Sequence, residues 1–277
     1  PLNSMHSPLE QEPGWSGPWW DNYRSLLANL DRSSLPAPEQ LNEWLPAGVK
    51  SGGGRLLRFV PADRIPGVEY ERHIFEAGEV STREGNWHDL FNALVWCTLP
   101  RLKSAMNALH HAHRAEARDG RRGARRDALT LLDESGAIVV SGNRGLLAAL
   151  AARDWRRAFL DQAGAWQHEV RTVICGHGLL DKLRTPYKSI TAQVLLVYQD
   201  SAAAALWSSD FCAGLDAAAG QQLLGGLCRS PADLSPLPLM GIPGWWLEGD
   251  QAPSFYDDPT VFRAAPSPFC PAPVHTL

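Results

Sequence analysis

The stretch NWHDLFNALVWCTLPRLKSAMNALHHAH, residues 86–113, decides how this chain is read. Leu90, Phe91, Leu94, Val95, Leu102, Ala105, Met106 and Leu109 recur at three- and four-residue spacing, the period of a helix with one buried face. The pattern predicts a helix over 87–117. Asn86 is placed to accept from the first free N–H groups, and Asp89 stands three residues on, where a capping box sets its acid. Pro100 lacks an N–H and its ring crowds the preceding turn, so the helix is expected to kink or split near Leu99.

On a wheel of about 100° per residue, Asp89, Asn92, Trp96, Pro100, Lys103, Asn107, His110, His111 and Arg114 fall on one stripe. Solvent faces are usually furnished with Glu, Lys, Arg and Gln, which form helices well. Asn, His and Trp form them less well, so the stripe suggests another use. One reading is a polar cleft. In it His88 serves as a general base near neutral pH, and Asp89 orients it or ligates a metal. Asn92 and Asn107 hold substrate oxygens, and Lys103 holds a phosphate or carboxylate. The plainer reading is a capped, kinked helix with a solvated polar side. His110 and His113, at i and i+3, either ligate one ion or complement the helix dipole.

Outward from this helix the patterns are shorter. Tyr23–Leu30 and Glu39–Leu45 read as helices, Arg55–Pro61 as a strand, and Tyr70–Glu76 as a weaker extended segment. Ala128–Leu132 and Ala137–Val140 read as a hairpin across Asp133-Glu134-Ser135-Gly136. On such a strand Asp127 and Asp133, six apart, point to one face and offer a carboxylate pair to a divalent cation, unless Asp133 only makes the turn. Gly145–Leu160, Leu179–Leu183 and Ala202–Leu224 read as helices, Val170–Cys175 and Ile190–Tyr198 as strands. Gly176-His177-Gly178 lies at a strand–helix junction, a place where chemistry often sits. From Pro231 onward Pro and Gly recur, with Trp245, Trp246, Phe255, Tyr256 and Phe262 as anchors. The expected architecture is α+β: a single domain with a long kinked central helix, a small sheet and an irregular Pro/Trp-rich C-terminal wrap. Residues 1–54 form an irregular and helical extension on a unit spanning 55–277.

Composition narrows the function classes. A net charge of −4 argues against a general nucleic-acid binder, although Arg114, Arg118, Arg121, Arg122, Arg125 and Arg126 cluster. No apolar run reaches about 18 residues, so no membrane-crossing helix is expected. The first residues carry neither the basic nor the apolar region of a signal peptide. The five cysteines never stand as CxxC, which suits reduced core residues in the cytoplasm and argues against a structural zinc site. GxGxxG, Walker A and GxSxG patterns are missing.

The chain resembles an uncharacterised bacterial family, domain-of-unknown-function family 3025. The resemblance rests on Gly78-Glu-Val-Ser-Thr-Arg83, Asn86–Trp96, Pro100–Lys103 with Asn107, Arg126–Thr130 and Asp133–Gly136. Gly176-His177, Pro236–Trp246 and Phe255–Asp258 with Val261-Phe262-Arg263 continue it. It implies a bacterial, cytoplasmic protein with one family-wide domain and brings no established activity. Gly178 departs from it, since a helix-friendly residue is expected there.

These readings converge on a hydrolase-like enzyme. Its pocket is lined by His88, Asp89, Asn92, Lys103 and Asn107, joined by His177, with Arg83, Arg126 and Lys188 as anion contacts. One alternative is a non-catalytic binding or scaffold protein with an aromatic and Arg-rich surface that takes a small molecule or a protein. Another is a metal-dependent phosphodiesterase using His110, His113, Asp127 and Asp133. No cofactor is indicated.

Overall fold

A computed structural model describes residues 15–31, 34–64, 69–113, 123–200 and 203–277. Among the described residues a 3-10 turn at Pro18–Trp20 precedes helices α1 (Arg24–Leu27) and α2 (Pro38–Trp44), and strand β1 (Arg58–Pro61) follows. Helix α3 (Tyr70–Ala77) leads into strand β2 (Glu79–Thr82), which pairs in parallel with β1. The extended reading of Tyr70–Glu76 is therefore corrected. Two parallel strands need a crossover between them, and this segment supplies it as a helix. Gly78 ends α3 at φ +76°, and a Cβ there would stand 2.2 Å from the Leu56 carbonyl oxygen, so both conformation and space demand glycine.

Next come α4 (Trp87–Thr98) and α5 (Pro100–Ala112), the predicted central helix divided at Leu99. Proline sits at the first position of α5, where its missing N–H costs nothing. Asn86 caps α4 by accepting from the Asp89 N–H. Helix α6 (Ala124–Ser135) runs directly into β3 (Gly136–Ser141). Then follow α7 (Arg144–Ala151), a π-helical turn at Arg157–Asp161, α8 (Ala165–His168), β4 (Val170–Ile174), α9 (His177–Lys182) and β5 (Thr191–Tyr198). The last elements are α10 (Ala203–Leu206), α11 (Phe211–Leu224), β6 (Ser235–Pro238) and β7 (Val274–Thr276).

The expected hairpin does not form. Ala128, Leu129 and Leu132 are buried at helical spacing inside α6, and β3 finds its partners elsewhere. The larger sheet runs β4-β3-β5-β6, with β7 also against β5. Strand β3 is antiparallel to β4 and parallel to β5. All six β3 residues are buried, so both faces of the sheet are covered there, and the period-2 signature of a half-exposed hairpin is lost. In a helix, residues six apart are separated by roughly 240° around the axis, so Asp127 and Asp133 point apart and the carboxylate pair is corrected too.

Irregular segments are fastened by aromatic rings. Trp19, Trp20 and Tyr23 are buried, and Trp20 stacks on Phe91 of α4 at 5.5 Å between centroids. The Tyr23 hydroxyl donates to the Ile174 carbonyl at the end of β4. At the other terminus, Tyr256 and Phe262 close around Phe159, and the Trp155 indole N–H donates to the Arg263 carbonyl. Lys188 pairs with Asp258 at 3.1 Å and lies 4.4 Å from the centre of the Phe255 ring. Its ammonium is thus spent on holding the C-terminal wrap. Trp96 and Trp245 are buried and Trp246 is half-buried, so these three rings do not form a contiguous exposed face.

A remote helix completes the break at Pro100. Asp216 of α11 is buried and accepts from the Arg101 and Leu102 N–H groups at 3.1 and 2.8 Å. These donors would otherwise be orphaned at the start of α5. Asp216→Ala is therefore expected to lower the unfolding free energy by about 1–3 kcal/mol, the cost of leaving buried donors unmet. Urea denaturation measures it, and a variant as stable as wild type would show that α5 does not need this cap.

Candidate active site

The site is built at the junction where α6 passes into β3. The last turn of α6 carries Asp133 and Glu134. Strand β4 leaves the sheet beside this junction and turns at Gly176 into α9, whose first residue is His177. The Gly176 N–H donates to the Gly136 carbonyl, and a Cβ on Gly176 would stand 2.3 Å from the Gly136 nitrogen. Only glycine lets the two backbones approach so closely, and that approach sets His177 against Asp133 and Glu134. The Gly178 that departs from the expected pattern does not keep His177 out of the helix. A Cβ there would meet Glu134 Oε2 at 2.5 Å, so the glycine makes room for the carboxylate. The first turn of α4, packed against α9, adds His88.

These elements enclose a cleft of about 340 Å³, lined by Ala62, Tyr70, Glu71, Ser81, Arg83, His88, Asp89, Asn92, Asp133, Glu134 and His177. The His88 and His177 rings meet edge to face, 4.5 Å between centroids. His177 Nε2 is 3.6 Å from Glu134 Oε1, and its Nδ1 is 3.8 Å from Asp133 Oδ1. Asp133 is in turn 2.5 Å from the ammonium of Lys103. Burial alone would raise the Asp133 pKa. The Lys103 ammonium, with the His177 ring beside it, outweighs burial and holds this carboxyl well below the usual carboxylate range.

The polar stripe of the central helix turns out to face inward. Trp96, Lys103, Asn107 and His110 are all buried. Lys103 reaches Asp133 beneath the cleft and does not line it. Asn107 accepts from the Gly52 N–H and donates to the Glu71 carbonyl and side chain, so it fixes the turn at 51–54 and the start of α3. Asn92 does line the cleft and donates to the Tyr70 hydroxyl at 2.8 Å. Although Tyr70 as a residue is 41% exposed, loss of solvation around its hydroxyl, with the negative charges of Glu71, Asp133 and Asp89 beside it, raises its pKa, so its proton is retained.

Asp89 accepts from the Arg83 N–H and from two nitrogens of its guanidinium, between 2.7 and 2.9 Å. Asp89 therefore orients Arg83 and not His88, and Arg83 reaches the cleft as a paired cation. Arg126 stands 3.8 Å from Glu69 at the start of α3. Arg114, Arg118, Arg121 and Arg122 lie outside the described residues. Burial lowers the pKa of His110. Among the described residues, the His, Cys, Asp and Glu side chains close enough to share a metal ion are His88, Glu134 and His177. His110 and His113 are not among them, nor is Asp127.

Sequence reasoning missed Glu134, Tyr70 and Glu71 as site residues. The spacing of Ala128, Leu129 and Leu132 fits a helix but is too short to exclude a strand. Read as a helix, that segment sets Glu134 on the last turn before a strand.

A family model described as protein of unknown function (DUF3025) matches residues 57–265. No curated protein and no solved structure gives a match. The matched span covers more than half of the chain and contains every lining residue of the cleft, and the chain belongs to the DUF3025 family.

Proposed function

We propose that this protein is a hydrolase and that the cleft between α3, α4, α6 and α9 is its active site. One observation carries the reading. His88, Glu134 and His177 come from segments far apart in sequence, yet one ligand atom from each lies within 4.8 Å of the others beside an accessible cleft. Packing alone does not require two imidazoles and a carboxylate to meet there. Such convergence of titratable groups in a concavity is the geometry that water activation needs.

Water held where the three side chains meet gives up a proton to its surroundings. Its oxygen bonds to a carbonyl or phosphoryl centre of the substrate, the bond to the leaving group breaks, and the leaving group takes up a proton. The Tyr70 hydroxyl accepts from Asn92, so its own proton is directed elsewhere and can stabilise a developing oxyanion in the cleft. Asp133 keeps His177 in place, and Lys103 keeps Asp133 in place. Residence in the cytoplasm belongs to the same proposal. Its support is that the five cysteines stand as free thiols.

The test is a panel of p-nitrophenyl esters, phosphate mono- and diesters and peptide anilides assayed with the purified protein. At least one class is expected to turn over, with His88→Ala and Glu134→Gln each slower by about 100-fold or more. No turnover of any class, or equal rates in both variants, overturns the reading. A second observation bears on the scaffold alternative. With Trp96 and Trp245 buried, the aromatic surface which that reading needs is not built from these rings.

A further inference from the structure

The geometry points to a divalent transition-metal ion, zinc by its donor set, held in the cleft by His88, Glu134 and His177. This rests on the same cleft as the proposed activity and names what would polarise the water there.

Three features support it. The first is spacing. Two ligands each about 2.1 Å from a tetrahedral ion stand about 3.4 Å apart. His177 Nε2 and Glu134 Oε1 are already 3.6 Å apart, and the three ligand atoms all lie within 4.8 Å of one another. Small side-chain rotations close the set. Glu134 has room to make one, since its side chain is 48% exposed and, among the described residues, the ion pair it shows is the one with His177.

The second is the shell behind the ligands. A metal-bound histidine usually presents its other ring nitrogen to a carboxylate, which fixes its tautomer and orientation. His177 turns Nε2 toward Glu134 and Nδ1 toward Asp133, and Asp133 is anchored by the buried Lys103. The Nδ1 atom is buried without a hydrogen-bond partner, as is Asn92 Oδ1 on the cleft wall. Each is a polar atom left to be satisfied by a bound group or by a slight closure of the site. A Lys–Asp–His chain aimed at the back of a ligand is costly to bury, and ion binding gives it a purpose.

The third is the choice of donors. Two imidazoles and one carboxylate suit zinc and its neighbours, whereas magnesium and calcium prefer oxygen alone. Three protein ligands leave a fourth position, and here it opens on the cleft. That is the arrangement of a catalytic and not a structural site. An ion there would lower the pKa of a bound water far enough, to about 7, for it to supply hydroxide at neutral pH, its proton passing to solvent.

The experiment uses the full chain, freed of metal by a chelator and titrated with zinc chloride by calorimetry. One equivalent is expected to bind. Cobalt(II) put in its place should give the intense visible bands of a four-coordinate ion. His88→Ala and Glu134→Gln, at positions that are not fully buried, should each weaken zinc by more than the roughly 10–100-fold that losing a supporting residue costs. Asp133→Asn should fall inside that 10–100-fold range, with the cobalt spectrum altered but retained. Circular dichroism of each variant checks that it is folded. Absence of stoichiometric zinc binding overturns the inference, as does binding that is unchanged in both His88→Ala and Glu134→Gln. The two readings separate cleanly. Hydrolysis that survives metal removal at full rate removes the ion and leaves the active site. Stoichiometric zinc with no hydrolysis of any substrate class removes the activity and leaves the ion.

Discussion

Phe159→Ala will lower the unfolding free energy by about 3–5 kcal/mol, the range for deleting a fully buried aromatic side chain. Phe159 is 1% exposed and touches the rings of Trp155, Trp166 and Tyr256, all at 5.7 Å, with Phe262 at 6.2 Å. Gly241 is pressed onto it as well, since a Cβ there would come within 2.7 Å of its ring. The side chain therefore joins the π-helical turn, α8 and the C-terminal wrap. Its removal leaves a cavity whose walls belong to three segments that cannot collapse together. Unfolding in guanidinium measures the loss, and for a chain of this size a melting point lower by roughly 10 °C should accompany it. Phe159→Leu keeps much of the volume and should recover more than half of the loss. A Phe159→Ala variant within about 1 kcal/mol of wild type would mean that the wrap is not fastened through this ring.

That keystone shows how far the sequence could be read. The Pro and Gly excess after Pro231, together with Phe255, Tyr256 and Phe262, announced an ordered irregular segment, and rings pin it down. The central helix was equally legible, because Pro100 breaks backbone bonding through its own covalent structure and needs no tertiary context. The segments that misled are those where tertiary packing set the pattern. Ala128–Leu132 is buried on one side by the sheet, and five residues are too few to separate a helical period from a strand's. Strand β3 is buried on both faces, so it shows no alternation. Tyr70–Glu76 looks extended in isolation and becomes a helix because β1 and β2 are parallel.

The candidate site followed the same division. Asn92, His88 and His177, which line the candidate cleft, are legible from residue type alone, because such groups are unusual where they stand. Glu134 was lost with the hairpin. Lys103 and Asn107 were found but given the wrong surroundings, because a helical wheel reports direction around an axis and not what lies beyond it. Their stripe faces the protein interior, where each polar group must find a partner.

Lys103 makes the strongest case for that rule, and it carries the second large effect. Its side chain is 6% exposed and its ammonium is 2.5 Å from Asp133, whose side chain is 14% exposed. Lys103→Met will lower the unfolding free energy by about 3–5 kcal/mol, because it leaves Asp133 as a buried carboxylate without its main counter-charge. Asp133→Leu leaves Lys103 equally stranded and should be destabilised on a similar scale. Removing both charges is different. Lys103→Met combined with Asp133→Leu exchanges a desolvated ion pair for apolar contact beside the Trp96 ring, which Lys103 already approaches at 5.5 Å. Stability should return to within about 1–2 kcal/mol of wild type, so that the double-mutant cycle gives a large favourable coupling between the two sites. Function should not return with it, because His177 then has no carboxylate behind Nδ1. A stability loss in the double variant equal to the sum of the two single losses would show that the pair contributes no coupling. A stable double variant with full hydrolytic rate would show that the buried charges serve the fold and not the cleft. The contrast between recovered folding and unrecovered chemistry is the measurement that separates the two reasons a protein can have for burying a lysine and an aspartate under a pair of histidines.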